Sequence, residues 1–389
     1  MTPTSSSRVQ RSHTIARLAF RLAAMFGVVA GVWAIVVLIR GGSWWGPLHS
    51  FVAGTVLAAI SGASQMFTIT WSAAAPPSPT LTTLQRWLLG GGVGLVLAGV
   101  GGGITPLVWP GAAAVVAALA LLGWSLAGTI RRSLLRRFDL SARFYLLAIM
   151  AGVVGVTLGA ILGSDSAGDR FVWMRLVHSH LNLVGLVGLT IVGTLPTFLP
   201  TVAHHRAVSG REAIAAWWMA MAGTTAMLAG LWWGPGPVGA GTLAIGAAAS
   251  LILGGVLIRL WARGRRRLPF LQVAAGTVWL ILWTVVDGSR LLADQVVVWS
   301  NWTAVAVVAG VGQVLAGSLA YLLPVLAGPP LEPNASRMTA RPALPLLVVN
   351  AAGVAGSLRA PWVLAALVLI WLVDFGLRLV TLRLRPDKP

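Results

Sequence analysis

The chain has 389 residues, of which 57% are hydrophobic and 10% charged, and its mean hydropathy is +0.85. A soluble domain needs about 25% charged residues to cover its surface, so the lipid bilayer must be the main solvent of this protein. The net charge of +19 comes largely from arginines in short loops between apolar runs, which excludes a nucleic-acid-binding surface. The absence of cysteine excludes disulfides, thiolate metal sites and iron–sulfur clusters.

Apolar runs long enough to cross a bilayer, at about 20 residues each, follow one another along the chain. We therefore expect an all-α polytopic membrane helix bundle with about twelve transmembrane helices. The first run is too long for a signal-peptide core and has no small-residue cleavage site, so we expect a retained anchor. The sequence predicts a disordered cytoplasmic tail at 1–13, a single transmembrane domain at 14–383 and a second cytoplasmic tail at 384–389. The runs lie at 15–39, 46–71, 85–103, 108–130, 143–163, 171–201, 211–233, 238–260, 270–293, 299–325, 342–356 and 360–382.

Loop charges predict the orientation of these runs. Alternate connections are rich in arginine, whereas the others carry almost none and one of them, Ser164–Asp169, is acidic. The positive-inside rule therefore places both ends of the chain on the cytoplasmic side, and the composition favours a multi-pass protein of the bacterial cytoplasmic membrane. The arginine-rich connections contain Arg131, Arg132, Arg136, Arg137 and Arg143; Arg206 and Arg211; Arg263, Arg265, Arg266 and Arg267; and Arg337 and Arg341.

The sixth run carries the most chemical information, because it places His178, His180 and Asn182 inside the hydrocarbon. An imidazole at that depth needs a hydrogen-bond partner, a metal or a haem, since lipid offers none. The two histidines lie about 10 Å below the outer boundary, at 1.5 Å per helical residue. His49, in the first turn of the second run, lies near the same boundary.

Spacing separates the roles of these three histidines. Residues two apart on a regular helix point about 200° apart, so His178 and His180 should not bind one ion together. We expect one of them to be a ligand, opposite His49, and the other to be structural. Two histidines on either side of one iron would have ring nitrogens roughly 4 Å apart. The alternative is that all three are buried histidines bonded to neighbouring hydroxyls and carbonyls.

Other polar residues give weaker signals. Gln65 and Gln313 lie within apolar runs, where they line a cavity or bond between helices. Asp374 and Arg378, four residues apart, predict a structural ion pair. His204 and His205 lie in an arginine-containing connection and indicate a solvated loop.

About twelve helices with histidines near the outer ends of the second and sixth resemble the catalytic subunit of haem–copper oxidases. The chain is still more similar to their divergent relatives, the NnrS-like proteins, and to transmembrane portions found beside copper nitrite reductase-type domains in actinobacteria. The segments that carry the resemblance are Leu48–Phe51, Ile60–Trp71, His178–Gly185 and Gln313–Pro324.

The resemblance implies binding of one haem or one copper ion by His49 with His178 or His180, and Asn182, Gln65 and Gln313 near the cofactor. It also implies a link to nitrogen-oxide or copper metabolism and an electron-transfer or copper-protein partner. The chain departs from the oxidases at the tenth helix, which has no histidine, and at the seventh, which has Trp217 and Trp218 in place of a histidine pair. An oxygen-reducing binuclear centre is therefore not expected, and whether the protein is an enzyme stays open. The alternative function is a metal-free membrane transporter or scaffold.

Overall fold

The computed structural model describes residues 5–135, 138–205, 210–260, 267–296, 301–328 and 331–382. Across these ranges the chain forms helices joined by short loops, with no β-strand. Several residues used above lie outside the described part of the chain: Arg136, Arg137, Arg206, Arg263, Arg265, Arg266 and the predicted tail at 384–389.

Within the described residues, 12 helices are long and apolar enough to cross a membrane, which confirms the predicted polytopic helix bundle. We number them as spans 1 to 12 in chain order. They are Ser7–Arg40, Trp45–Ser72, Pro79–Gly101, Thr105–Arg131, Asp139–Gly163, Gly168–Val202, Arg211–Trp233, Pro235–Leu260, Leu268–Leu292, Trp302–Ala327, Leu331–Ser357 and Pro361–Val380.

Three spans begin six or more residues earlier than the hydropathy pattern predicts, because polar residues also extend helices. The first helix begins at Ser5, so residues 5–13 continue it and do not form the expected disordered tail. Span 3 begins at Pro79, where the Ser78 hydroxyl accepts a hydrogen bond from the Leu81 N–H at 3.2 Å and caps the helix. Span 11 combines a polar helix, Leu331–Met338, with the apolar helix Ala343–Ser357.

The chain forms two compact units, and the predicted single transmembrane domain at 14–383 stays a prediction. The first unit is Met1–Gly193 with Thr224–Val238, and the second is Thr194–Gly223 with Gly239–Pro389. Each unit encloses its own apolar core: fully buried side chains include Leu122 and Phe144 in the first and Leu199 and Ile252 in the second. Hydropathy does not reveal this division, because the apolar runs of both units are equally hydrophobic.

Glycines allow close helix packing inside each unit. In the first, a Cβ at Gly92 would lie 2.8 Å from the carbonyl oxygen of Gly111, so spans 3 and 4 approach backbone to backbone. In the second, a Cβ at Gly276 would lie 2.8 Å from the carbonyl oxygen of Gly310, which joins spans 9 and 10 in the same way. Such contacts are the usual way for helices to associate in lipid, where apolar burial gives no driving force.

Four π-helical segments interrupt the α-helical spans in the described part of the chain. One follows His49 directly, a second follows His180, and a third ends immediately before Gln313. π-Helical turns are rare and are frequently found at functional sites. The segments are Ser50–Val56, Leu97–Gly101, Leu181–Gly188 and Ala306–Gly312.

A candidate cofactor site between His49 and His178

His49 is held by its own helix at the start of span 2. The short α-helix Trp45–His49 brings the imidazole over the indole of Trp45, with 4.1 Å between ring centroids and 20° between ring planes. The Nδ1 atom of His49 lies 2.8 Å from the carbonyl oxygen of Trp45. Because a carbonyl oxygen can only accept, Nδ1 carries the proton and Nε2 keeps its lone pair.

His178 is held by the neighbouring helix. Its Nδ1 atom lies 2.7 Å from the carbonyl oxygen of Gly155 in span 5, so this nitrogen is also the protonated one. The Asn182 amide lies 3.3 Å from the same nitrogen but donates to the His178 carbonyl oxygen, at 2.8 Å. Both histidines therefore present Nε2 as the atom available to a ligand.

The separation of the two ring centroids is close to that expected for two imidazoles that bind one metal ion. Their centroids are 6.3 Å apart and their planes differ by 16°. Two metal–nitrogen bonds of about 2 Å each, with each nitrogen about 1.1 Å from its own ring centre, give about 6 Å between two such centroids. The separation is thus compatible with the arrangement of two histidines on either side of an iron.

Each of the two histidines keeps one ring nitrogen without a hydrogen bond to the described residues. Each side chain is half-buried. Among the described residues, no side chain or backbone group forms a hydrogen bond with either Nε2 atom. Each of these nitrogens therefore has an unused acceptor position.

The available donors fit a haem better than a bare copper ion. No group of three or more His, Cys, Asp or Glu side chains suited to a metal occurs in the described residues, and the chain has no cysteine. A copper ion held by the protein alone generally requires further ligands, often thiolate or thioether. A haem supplies four nitrogens itself and needs only axial ligands from the protein. The two Nε2 atoms match that need.

His180 has a different environment from His178, as the two-residue spacing predicts. It is 5% exposed, and its Nδ1 donates to the carbonyl oxygen of Leu176 at 2.9 Å within its own helix. The Ser179 hydroxyl lies 3.3 Å from the same nitrogen. These contacts agree with a structural role, and the ring contact with His49 is made by His178.

The two glutamines have their own surroundings. Gln65 is buried in span 2, where its amide nitrogen donates a hydrogen bond to the Ser61 carbonyl oxygen at 3.1 Å. This hydrogen bond is made within its own helix. Gln313 belongs to the second unit. It is completely buried, and neither atom of its amide has a hydrogen-bond partner among the described residues. His204, at the end of span 6, is exposed with a φ of 58°, as expected for a loop residue.

Two features of the site were missed in the sequence. The first is the glycine face of span 5, which makes room for His178: a Cβ at Gly159 would lie 2.7 Å from His178 Cε1, and one at Gly155 would lie 2.5 Å from the Asn182 amide nitrogen. The four-residue spacing of Gly155, Gly159 and Gly163 is the signal that could have revealed it. The second is the π-helical segment that follows His49 and the one that follows His180, which no residue pattern predicts.

A scan against protein-family models found no model that matches the chain. A search of curated proteins also found no match. The interpretation of the site therefore depends on its own geometry.

Proposed function

We propose that the first unit binds one haem in the outer half of the membrane and that His49 and His178 would hold it. The observation that carries the proposal is the 6.3 Å separation of two nearly parallel imidazoles. Their shared tautomer supports it, because Nδ1–H donation to a carbonyl is the usual way to direct Nε2 towards a metal. A haem held by two histidines supplies one-electron transfer.

The chain's own residues would fix the ligands and exclude water. The Trp45 indole covers one face of the His49 ring, and the carbonyl oxygens of Trp45 and Gly155 fix the orientation of the two imidazoles. The resemblance to haem–copper oxidases and NnrS-like proteins supports the binding of a haem or a copper ion by histidines of spans 2 and 6. With it we infer a bacterial cytoplasmic membrane and an electron-transfer partner on the outer side.

The test is the absorption spectrum and metal content of the full-length protein purified in detergent. We expect a Soret band with one iron per chain. His49→Ala and His178→Ala should each reduce bound haem at least about tenfold, because each removes an axial ligand. The matched control is His204→Ala, which changes an exposed histidine and should leave the spectrum unchanged.

Two results would contradict the proposal. Stoichiometric copper without a Soret band would mean that the histidines bind a bare ion. A folded, colourless and metal-free protein would support the alternative function, a transporter or scaffold whose histidines are structural.

A further inference from the structure

Three arginines lie towards the inner ends of spans 1 and 3, where these two helices meet; we call them the inner arginine cluster. Span 1 carries Arg17 and Arg21, four residues apart and therefore on one side of the helix. A Cβ at Gly90 of span 3 would lie 3.0 Å from Leu22 Cδ1, so the two spans are in contact directly after Arg21. Arg86 precedes Gly90 by one turn and therefore lies on the face of span 3 that meets span 1.

Helix length places this cluster at the level of the lipid headgroups. Arg21 and Arg40 enclose an uncharged stretch of span 1, residues 22–39. At 1.5 Å per residue the two arginines are about 28 Å apart along the helix, close to the ~30 Å thickness of the hydrocarbon. With Arg40 at the outer boundary, Arg21 lies at the inner one. Trp87, next to Arg86, is exposed, as is usual for tryptophan at a membrane interface.

Spans 1 to 4 supply no negative charge to balance the cluster. The first acidic residue of the chain is Asp139, at the start of span 5, and the ion pairs among the described residues join spans 7 and 8 or lie within span 12. Arg21 is exposed and Arg86 half-buried. Arg17 donates only to the Thr14 hydroxyl in its own helix, at 3.4 Å.

Other arginines of the same helix do find acceptors inside the protein. Arg8 Nη1 donates to the Ala73 carbonyl oxygen at 2.8 Å, and Arg11 Nη2 donates to the Pro77 carbonyl oxygen at 2.7 Å. Both acceptors lie just beyond the end of span 2. The cluster has no such acceptor from another helix among the described residues, and a headgroup phosphate would supply one.

We propose that Arg17, Arg21 and Arg86 bind the phosphate of one anionic phospholipid of the inner leaflet, whose acyl chains lie along spans 1 and 3. Basic sites between transmembrane helices on the cytoplasmic side bind acidic headgroups, and a guanidinium offers a phosphate two parallel N–H donors. A zwitterionic lipid fits less well, because spans 1 to 4 have no carboxylate for its ammonium group. This site is separate from the histidine pair.

The surface beside the cluster has space for an acyl chain. Gly94 follows Gly90 by one turn on the same face of span 3, and a Cβ there would meet nothing within 4 Å. The glycine leaves a shallow depression above Arg86, on the hydrocarbon side of the arginines. A lipid whose phosphate contacts the cluster would place its chains there.

The test counts lipids bound to the full-length protein by native mass spectrometry. Protein purified in a nonionic detergent and stripped of lipid is titrated with phosphatidylglycerol or with phosphatidylcholine of the same acyl chains. The wild type should bind one phosphatidylglycerol at least about tenfold more tightly than phosphatidylcholine, since one hydrogen bond to a charged group contributes roughly that factor. The double variant Arg21→Gln with Arg86→Gln should bind both lipids with affinities within about threefold of one another.

The controls separate this site from a general attraction between positive charge and acidic lipid. Arg40→Gln removes an exposed arginine from the outer end of span 1 and should keep the full preference for phosphatidylglycerol. Arg21→Lys with Arg86→Lys keeps both charges and should keep part of it. The single variants Arg21→Gln and Arg86→Gln should each lose part of the preference, so the test does not depend on the folding of the double variant.

Three results would overturn the proposal. The first is equal affinity of the wild type for the two lipids. The second is a folded double variant that prefers phosphatidylglycerol as strongly as the wild type does, or an equal loss of preference in Arg40→Gln. The third is complete displacement of the lipid by inorganic phosphate, which would mean that the arginines bind a free anion and that the acyl chains make no contact.

Discussion

His178 is positioned mainly by backbone groups of a neighbouring helix. Its Nδ1 donates to the Gly155 carbonyl oxygen, and the absent side chains of Gly155 and Gly159 leave space for the imidazole and for Asn182. The sequence identified His49, His178 and His180 as candidates because imidazoles are rare in hydrocarbon. The identity of the residue facing His49 was not predictable, since it depends on how span 6 is rotated against span 5.

Gly159→Ala tests how closely span 5 controls His178. The new Cβ would lie 2.7 Å from His178 Cε1, so the ring must move away from its present position. We expect the protein to fold and bind haem about tenfold more weakly, as is typical when groups that orient a metal ligand are changed. The measurement is a haem titration followed by Soret absorbance.

The control for this variant is Gly91→Ala. Gly91 is also in a helix of the first unit, but a Cβ there would meet nothing within 4 Å, so haem affinity should stay unchanged. Equal affinity of Gly159→Ala and Gly91→Ala would mean that the position of His178 does not control binding.

The C-terminal end of span 12 is joined to its neighbours by one buried ion pair. The Arg378 Nε and Nη2 atoms donate to the two carboxylate oxygens of Asp374, at 2.7 and 3.1 Å. The Nη1 atom donates to the carbonyl oxygens of Met338 and Ala340. The four-residue spacing predicted the ion pair, and the structure confirms it. The carbonyl contacts were not predictable, because Met338 and Ala340 are some 40 residues away in the chain.

Asp374→Ala should destabilise the second unit strongly. It leaves the Arg378 guanidinium buried without its counter-charge, and breaking a buried pair from one side costs about 3–5 kcal/mol. We expect a clear fall in the thermal unfolding midpoint of the purified protein.

Glu212→Ala is the matched control, because it breaks the more exposed pair between Glu212 and Arg259. Its effect should be no more than about 1 kcal/mol, since solvent screens such pairs. Similar thermal unfolding midpoints for the two variants would show that the Asp374–Arg378 pair does not stabilise the second unit as a buried ion pair.

An even number of spans, twelve among the described residues, predicts that both ends of the chain lie on the same side of the membrane. Many tryptophans at helix ends are exposed, among them Trp44, Trp233 and Trp362, which suits the aromatic belts at the two interfaces. The loop charges predict that the connection at 164–169 lies on the outer side and the connection after span 4 on the inner side.

The absence of cysteine makes this orientation directly testable. Ser166→Cys and Leu134→Cys each introduce one thiol at an exposed position in the described structure. In intact cells a membrane-impermeant maleimide should label Ser166→Cys, whereas Leu134→Cys should react only after permeabilisation. Labelling in the reverse order would invert the orientation and place the histidine pair in the inner half of the membrane.

The sequence by itself determined that lipid is the main solvent of the protein, how many spans it has and which histidines are candidates for the site. These follow from transfer free energies summed over local segments of about 20 residues, so they require no knowledge of the fold. Even the spans with early starts retained their predicted apolar segments.

Only the tertiary structure decided which residues meet. The contact of His49 with His178, the division into two units and the π-helical turns depend on how helices rotate and pack against one another. In lipid that packing is governed by close contacts between small residues and by interhelical hydrogen bonds, because all apolar faces are equally compatible with the solvent. Hydropathy therefore places each helix in the membrane but leaves its facing partner undetermined.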